Sequence, residues 1–273
     1  MKILLTGGSG FIGSEIAKAL QSAGYELVIA SRRNGVDFNQ MLRAEDWLPY
    51  LHDVDAVINS VGIIAQTRGQ RFHVLHTQAP IALFQACEMA GVNRVVQISA
   101  LGADEKGFTP YQLSKKAADD YLRSLPLAWF ILRPSLVYGK GGKSTALFER
   151  MANLPLIPVV EQGTQIIQPV HIIDLVDAVL ACLKTTSTQR TIDVVGPTVL
   201  RFAEWLQRLR TKSGKQTAQT LSAPFKLVLA FSYLGHFVVP LLHPDNLRML
   251  QQGNTADAQP LSELLGRKPH DLP

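Results

Sequence analysis

Tyr111 and Lys115 stand four residues apart in "YQLSK". On a helix that spacing puts a phenol and an ammonium on one face. Together they can move a proton at a carbonyl or alcohol oxygen during a hydride transfer. The ammonium is expected to stabilise tyrosinate and draw the phenol below its free value of about 10. Ser99, at the end of "RVVQIS" upstream, and Thr109 are hydroxyls that could assist.

A second constellation lies at the start of the chain. "TGGSGFIG", Thr6 to Gly13, follows the apolar run "KILLT" and opens a helical pattern, the context a dinucleotide fingerprint requires. Gly7 permits a tight turn, Gly10 lets the backbone approach a pyrophosphate, and Gly13 lets helix and strand pack closely. Ser9, Phe11 and Ile12 complete that wall. The helix N-terminus offers N–H groups and a positive dipole end to phosphates. The second apolar run ends "VIASRRNG", with Ser31, Arg32 and Arg33 where an NAD site keeps a carboxylate for the ribose 2′-hydroxyl. A guanidinium holds a 2′-phosphate with paired hydrogen bonds, so NADP is expected over NAD. Asp37 and Phe38 are placed to meet the adenine edge, and Ser60, Val61 and Gly62 in "NSVG" to lie beside the nicotinamide ribose.

The elements that must position these residues alternate. "KILLT", "ELVIA", "DAVINSV", "RVVQIS" and "LAWFILR" read as buried strands. Between them lie helical patterns, "IGSEIAKALQSAG", the segment around "EDWLPYL", "APIALFQACEMAG" and "SKKAADDYLRSL", with Gly24 and Gly91 past two helix ends where a left-handed cap is wanted. Such alternation implies an α/β fold, a Rossmann-type doubly wound parallel sheet. Beyond Pro134 the pattern loosens into a loop and helix excursion over about 139–165. It returns through a helix in "QPVHIIDLVDAVLACLK" and a strand in "RTIDVVG". Residues 1–200 are expected to form the NADP-binding domain and 201–273 a small, mainly helical lobe. The apolar segment 223–242 approaches the ~20 residues of a membrane span, but Lys226, His236 and Pro240 interrupt it. It is expected to be a helix buried in the lobe or closing the substrate pocket; a flap or a surface lying on a membrane is the alternative.

Composition narrows the function. With 47% hydrophobic and 18% charged residues the chain can bury a large core. Its net charge of +5 suits a phosphate-bearing ligand and is too diffuse to argue for nucleic acid. The basic cluster in "RFAEWLQRLRTKSGK" reads as a solvated helix face. Two cysteines, Cys87 and Cys182, form neither a disulfide framework nor a metal-ligand spacing, so no metal is expected. They fit a reducing compartment, and "KILLT" as first strand leaves no room for a signal peptide, so the cytoplasm is expected.

"TGGSGFIG", "YQLSK" and "LRPSLVYG", in this order, resemble the extended and atypical short-chain dehydrogenase/reductase superfamily over at least residues 1–200. "SALGA" and "HPDNLRMLQQGNTAD" make the chain most similar to the branch of NAD-dependent epimerase/dehydratase proteins that includes the dinucleotide-binding accessory subunit of respiratory complex I. The resemblance implies bound NADP(H) and, in some members, association with quinones or a membrane complex. It makes Tyr111 the general acid/base and Lys115 its partner, the latter also bonding the nicotinamide ribose. Ser99 then lies beside the cofactor, and Pro134 and Val137 flank the nicotinamide. Two departures stand out. The superfamily's catalytic Ser or Thr falls at about Leu101, with Ser99 and Thr109 as out-of-register substitutes; and His76, given no role, stands where the family often has Asn. The expected function is an NADP(H)-dependent oxidoreductase, epimerase or dehydratase acting on a small carbonyl or alcohol, hydrophobic substrates included. The alternative is a non-catalytic NADP(H)-binding structural or redox-sensing protein.

Overall fold

Six short apolar runs become one all-parallel sheet in the computed structural model, which describes residues 1–235 and 242–272, with side chains to Tyr233 in the first stretch. The first half runs β1 (Lys2–Thr6), α1 (Phe11–Ser22), β2 (Glu26–Ala30), α2 (Ala44–Trp47), β3 (Ala56–Asn59), α3 (Ala79–Ala90), β4 (Arg94–Ile98), α4 (Pro110–Arg123) and β5 (Ala128–Pro134). There follow β6 (Val137–Tyr138), α5 (Lys143–Ala152), β7 (Ile157–Val160), β8 (Ile166–Ile167), β9 (Val170–His171), α6 (Ile172–Lys184) and β10 (Arg190–Val194). The last part holds β11 (Leu200–Arg201), α7 (Phe202–Lys212), β12 (Thr220–Ala223), α8 (Phe225–Gly235), α9 (Pro244–Gln252) and α10 (Gln259–Leu265). The sheet order is β10-β5-β4-β3-β1-β2. The chain leaves β1 for β2 on one side and returns to β3 on the other, so the switch point, where such folds bind ligands, lies between β1 and β3.

Period-two alternation builds two cores. Leu4, Val57, Val95 and Ile131 face α2, α3 and α4. Ile3, Leu5, Ile58, Val96 and Phe130 face α1, α6 and α10. Burial on both faces is why these strands read as continuous apolar runs. Cys87 and Cys182 are free, buried, and on opposite sides of the sheet.

The expected division at residue 200 does not follow the packing. A third core gathers Tyr138, Ala152, Ile157, Val159 and Ile167 with Phe202, Trp205, Leu206 and Leu272, so the excursion belongs with the lobe. Conversely, Leu261 of α10 returns to the sheet's second face. The basic face of α7 is solvated at Arg208 and Lys212, as its charge pattern requires. The expectation of a buried helix over 223–242 is corrected over its described part: α8, which packs against α9, leaves Leu227 51%, Phe231 67% and Tyr233 52% exposed. Residues 236–241 of that segment, His236 and Pro240 among them, lie outside the described residues. Among the described residues no helix is long and apolar enough to cross a membrane.

Candidate active site

The β1–α1 turn is shaped by what its glycines lack. Gly7 has φ +73°, and a Cβ there would come 2.8 Å from Ser60. A Cβ on Gly13 would lie 2.2 Å from the Gly7 carbonyl. The Ser60 hydroxyl donates to the Thr6 carbonyl at 2.6 Å and ties the turn to the end of β3. At the open side Ser9 and Gly10 are exposed, Gly10 starts α1, and no side chain caps it. The first-turn N–H groups therefore point at an uncovered cradle that side chains would fill, which fits a dinucleotide pyrophosphate. Phe11 and Ile12 pack inward against the second core.

Beyond β2, Ser31 is buried and its carbonyl accepts from Asn34 and Val36, closing a tight turn over Arg32–Asn34. Arg32 and Arg33 are exposed, and among the described residues neither pairs with a carboxylate. Asp37 accepts from the Asn39 backbone and side chain, both at 3.0 Å. The Phe38 ring is 5% exposed and meets Trp47 edge-on at 5.1 Å, so its side chain belongs to the core.

The Tyr–Lys pair is delivered by α4, which begins where Thr109 caps it and bonds Gln112 reciprocally. Lys115 is 3% exposed; its ammonium donates to the Val61 carbonyl at 3.1 Å and the Ile98 carbonyl at 3.0 Å. It thus bridges the ends of β3 and β4, and Gly62 allows this, since a Cβ there would sit 3.3 Å from the ammonium. Burial pulls Lys115 down to about 8, opposed by the charge of Asp119. Tyr111 differs from expectation: burial, with the Asp119 charge adding to it, pushes the phenol up to about 12. The ammonium that was to lower it is turned to two carbonyls instead.

Neither substitute hydroxyl faces this pair's open side. Ser99 donates to Asp119 in a short hydrogen bond within the interior, and Thr109 is spent on its cap. Leu101, in the usual position, donates its backbone N–H to the Pro134 carbonyl, while Val137 pairs with Val170 in a short ladder.

Three groups to which the sequence reading assigned no role complete the site. Asn59 accepts from Thr6 at 2.6 Å and donates to Gln97 at 2.7 Å, so a polar thread crosses three strands inside the sheet. His76 is buried in a turn of π-helix, His73–Gln78, with its ring edge-on to Tyr111 at 5.5 Å. Its Nε2 accepts from the Ile63 N–H at 3.0 Å, which assigns the ring proton to Nδ1, facing Ser114. Burial and the nearby Lys115 hold its pKa well below the usual imidazole value. Asp119, one turn beyond Lys115, is fully buried. The i, i+4 spacing signalled it, but an Asp in "KKAADDY" reads as a solvated charge.

Among the described residues, no group of His, Cys, Asp and Glu could hold a metal ion. Fold and site together define a dinucleotide-binding Rossmann protein with a Tyr–Lys pair at the strand ends. The NAD dependent epimerase/dehydratase family matches residues 3–196, and the chain belongs to it. Ceramide reductase of Caulobacter vibrioides is 26% identical over 195 residues, covering 67% of this chain and 61% of that protein. The mitochondrial NADH dehydrogenase [ubiquinone] 1 alpha subcomplex subunit 9 of Mus musculus is 26% identical over 209 residues, covering 70% of this chain and 55% of that one. The chain thus spans about three fifths of the length of these relatives. A UDP-glucuronic acid 4-epimerase from Bacillus cereus, in complex with UDP-glucuronic acid and NAD, shares the fold with TM-score 0.73 at 20% identity, over 100% of this chain and 95% of that chain.

Proposed function

We propose that this chain is an NADP(H)-dependent oxidoreductase or epimerase/dehydratase acting on a small carbonyl or alcohol compound. Support for catalysis comes first from the placement of Tyr111 and Lys115, which share a face of α4 at the sheet edge that carries the glycine cradle, with Lys115 fixed to two strand ends. A bound nicotinamide dinucleotide supplies or takes up the hydride. Gly7, Ser9, Gly10 and Gly13 would hold its pyrophosphate, and Val61, Gly62 and Lys115 its nicotinamide ribose. Pro134 and Val137 would flank the ring. Tyr111 Oη exchanges a proton with the substrate oxygen. Arg32 and Arg33, exposed and unpaired with acid among the described residues, support the 2′-phosphate and so NADP over NAD. The buried free thiols agree with a reducing compartment, and we assign the cytoplasm.

A second reading, a non-catalytic NADP(H) binder, is favoured by one observation: both hydroxyls that could replace the one missing at Leu101 are engaged by the fold. Loss of one donor to a developing oxyanion costs ~10²–10³ in rate in other enzymes. Assay of NADPH oxidation against a carbonyl panel separates the readings. Tyr111→Phe is expected to abolish turnover and leave NADPH affinity nearly intact, and Lys115→Ala to weaken both. A chain that binds NADPH and oxidises it with no substrate moves the conclusion to the binder.

A further inference from the structure

We propose that Asp119 is a positioning residue of the Tyr111–Lys115 pair: a buried countercharge that keeps Lys115 an ammonium at the ends of β3 and β4. This rests on the reading of that pair given above and deepens it. The geometry is specific. Residues 111, 115 and 119 follow one another at four-residue steps along α4, so Asp119 shares one face of the helix with Lys115, one turn further on. It is fully buried; Oδ2 accepts a short hydrogen bond from Ser99, and the Gln97 amide on the neighbouring strand also lowers its pKa. Within hydrogen-bond distance neither Oδ1 nor Gln97 Nε2 has a partner, so the amide answers the carboxylate only weakly. A carboxylate so placed is costly unless a charge answers it.

The groups that face Asp119 are few. From α4 they are Tyr111, Lys115 and Arg123; from β4 they are Ser99 and Gln97. Arg123 is already held by Asp120 and Thr191, which leaves Lys115 as the interior cation. Beyond Lys115 stands His76, neutral and hydrogen-bonded through both ring nitrogens. Burial pushes Asp119 up to about 6 and Lys115 down to about 8, while each stabilises the charged form of the other. Between those values both are ionised, and the Lys115 ammonium makes its two strand-end bonds. Neutralising Asp119 removes the interior charge that holds the proton on Lys115. Ser99 also gains a purpose: its hydroxyl fixes the carboxylate rather than the substrate.

The test follows the Lys115 Cε resonance of the whole chain, assigned by its loss in Lys115→Arg, from pH 5 to 10. No nucleotide or turnover is needed. The midpoint in the wild type is expected near 8. Asp119→Asn keeps an acceptor for Ser99 and loses the charge, so the midpoint should fall by about one unit or more. Asp119→Glu should restore much of it. An unchanged midpoint in Asp119→Asn with wild-type near-ultraviolet circular dichroism overturns the proposal. Should that variant not fold, the wild type decides. Ionisation of Asp119 near 6 is expected to appear as a second inflection on Lys115, and its absence overturns the coupling. Failure of the carbonyl panel alone strikes the catalytic reading and leaves this coupling standing. Where turnover is found, the basic limb of its pH profile should move down with the Lys115 midpoint in Asp119→Asn; a fixed limb overturns the positioning role.

Discussion

Single residues decide the chemistry here by what they are already bonded to. His76 accepts from Ile63 and faces Ser114 with its other nitrogen, so the neutral ring is built into the fold. Its folded pKa lies below that of the unfolded chain, so its contribution to stability is complete above about 6.5 and is lost as pH falls toward the lower folded value. The slope over that window is about 1.4 kcal/mol per pH unit for one proton. His76→Gln keeps an acceptor and a donor but takes no proton. Its urea stability should fall less between pH 7 and 5 than that of the wild type, by about 1–2 kcal/mol; equal losses would place the acid sensitivity elsewhere. Arg32 and Arg33 are the opposite kind of residue, exposed and, among the described residues, not paired with a carboxylate. If they hold a 2′-phosphate, NADPH binds at least about tenfold tighter than NADH, about 1.4 kcal/mol. Changing both to Ala should erase that preference and spare NADH binding. Equal thermal shifts with the two nucleotides in the wild type would end the NADP assignment.

At the level of elements, the glycine turn separates stability from binding. A Cβ at Gly13 meets backbone at 2.2 Å, whereas one at Gly10 meets only the Gly7 carbonyl at 3.3 Å, with an ordinary φ of −80°. Gly13→Ala is expected to cost about 1–3 kcal/mol of stability as overpacking, with loss of nucleotide binding. Gly10→Ala should cost under about 1 kcal/mol and weaken the nucleotide, measured by urea melts and NADPH titration. Equal stability losses would mean the turn is not packed as described. The inner strands β1, β3, β4 and β5 were legible because burial on both faces prints apolar runs, whereas the edge strands β2 and β10 are only partly buried. The Tyr111–Lys115 pair was legible because i, i+4 spacing is a property of the helix itself. What was not legible depends on tertiary direction. Ser99 stands at the expected strand end, but its hydroxyl turns inward to Asp119; Phe38 follows the right strand, but Trp47 claims it. Nor does "KLVLAFSY" say which way α8 turns its side chains: apolar composition signals burial, and its large hydrophobics Leu227, Phe231 and Tyr233 are exposed.

For the whole molecule, chain order and core order differ. The sequence suggested a division near residue 200, because the strand–helix alternation stops there. The packing crosses that line in both directions: residues 138–167 join Trp205 and Leu272, while Leu261 packs beneath the sheet. A third tie is electrostatic. Asp174, at the start of α6, is fully buried and is satisfied by Arg267 at 2.8 Å and by the His270 ring at 2.7 Å. A fragment ending at residue 200 would strip Tyr138 and Ile157 of their core and leave that carboxylate buried without its cation, which costs about 3–5 kcal/mol where one partner of a buried pair is removed. Residues 1–200 alone are therefore expected to lack a cooperative urea transition and to give poorly dispersed amide resonances. Leu261→Ala in the whole chain isolates one part of the effect. It removes a side chain from the sheet's own core and should cost about 2–5 kcal/mol in a single transition shared by both lobes. A fragment 1–200 that unfolds cooperatively and binds NADPH as tightly as the whole chain would show that the dinucleotide site does not depend on the C-terminal return.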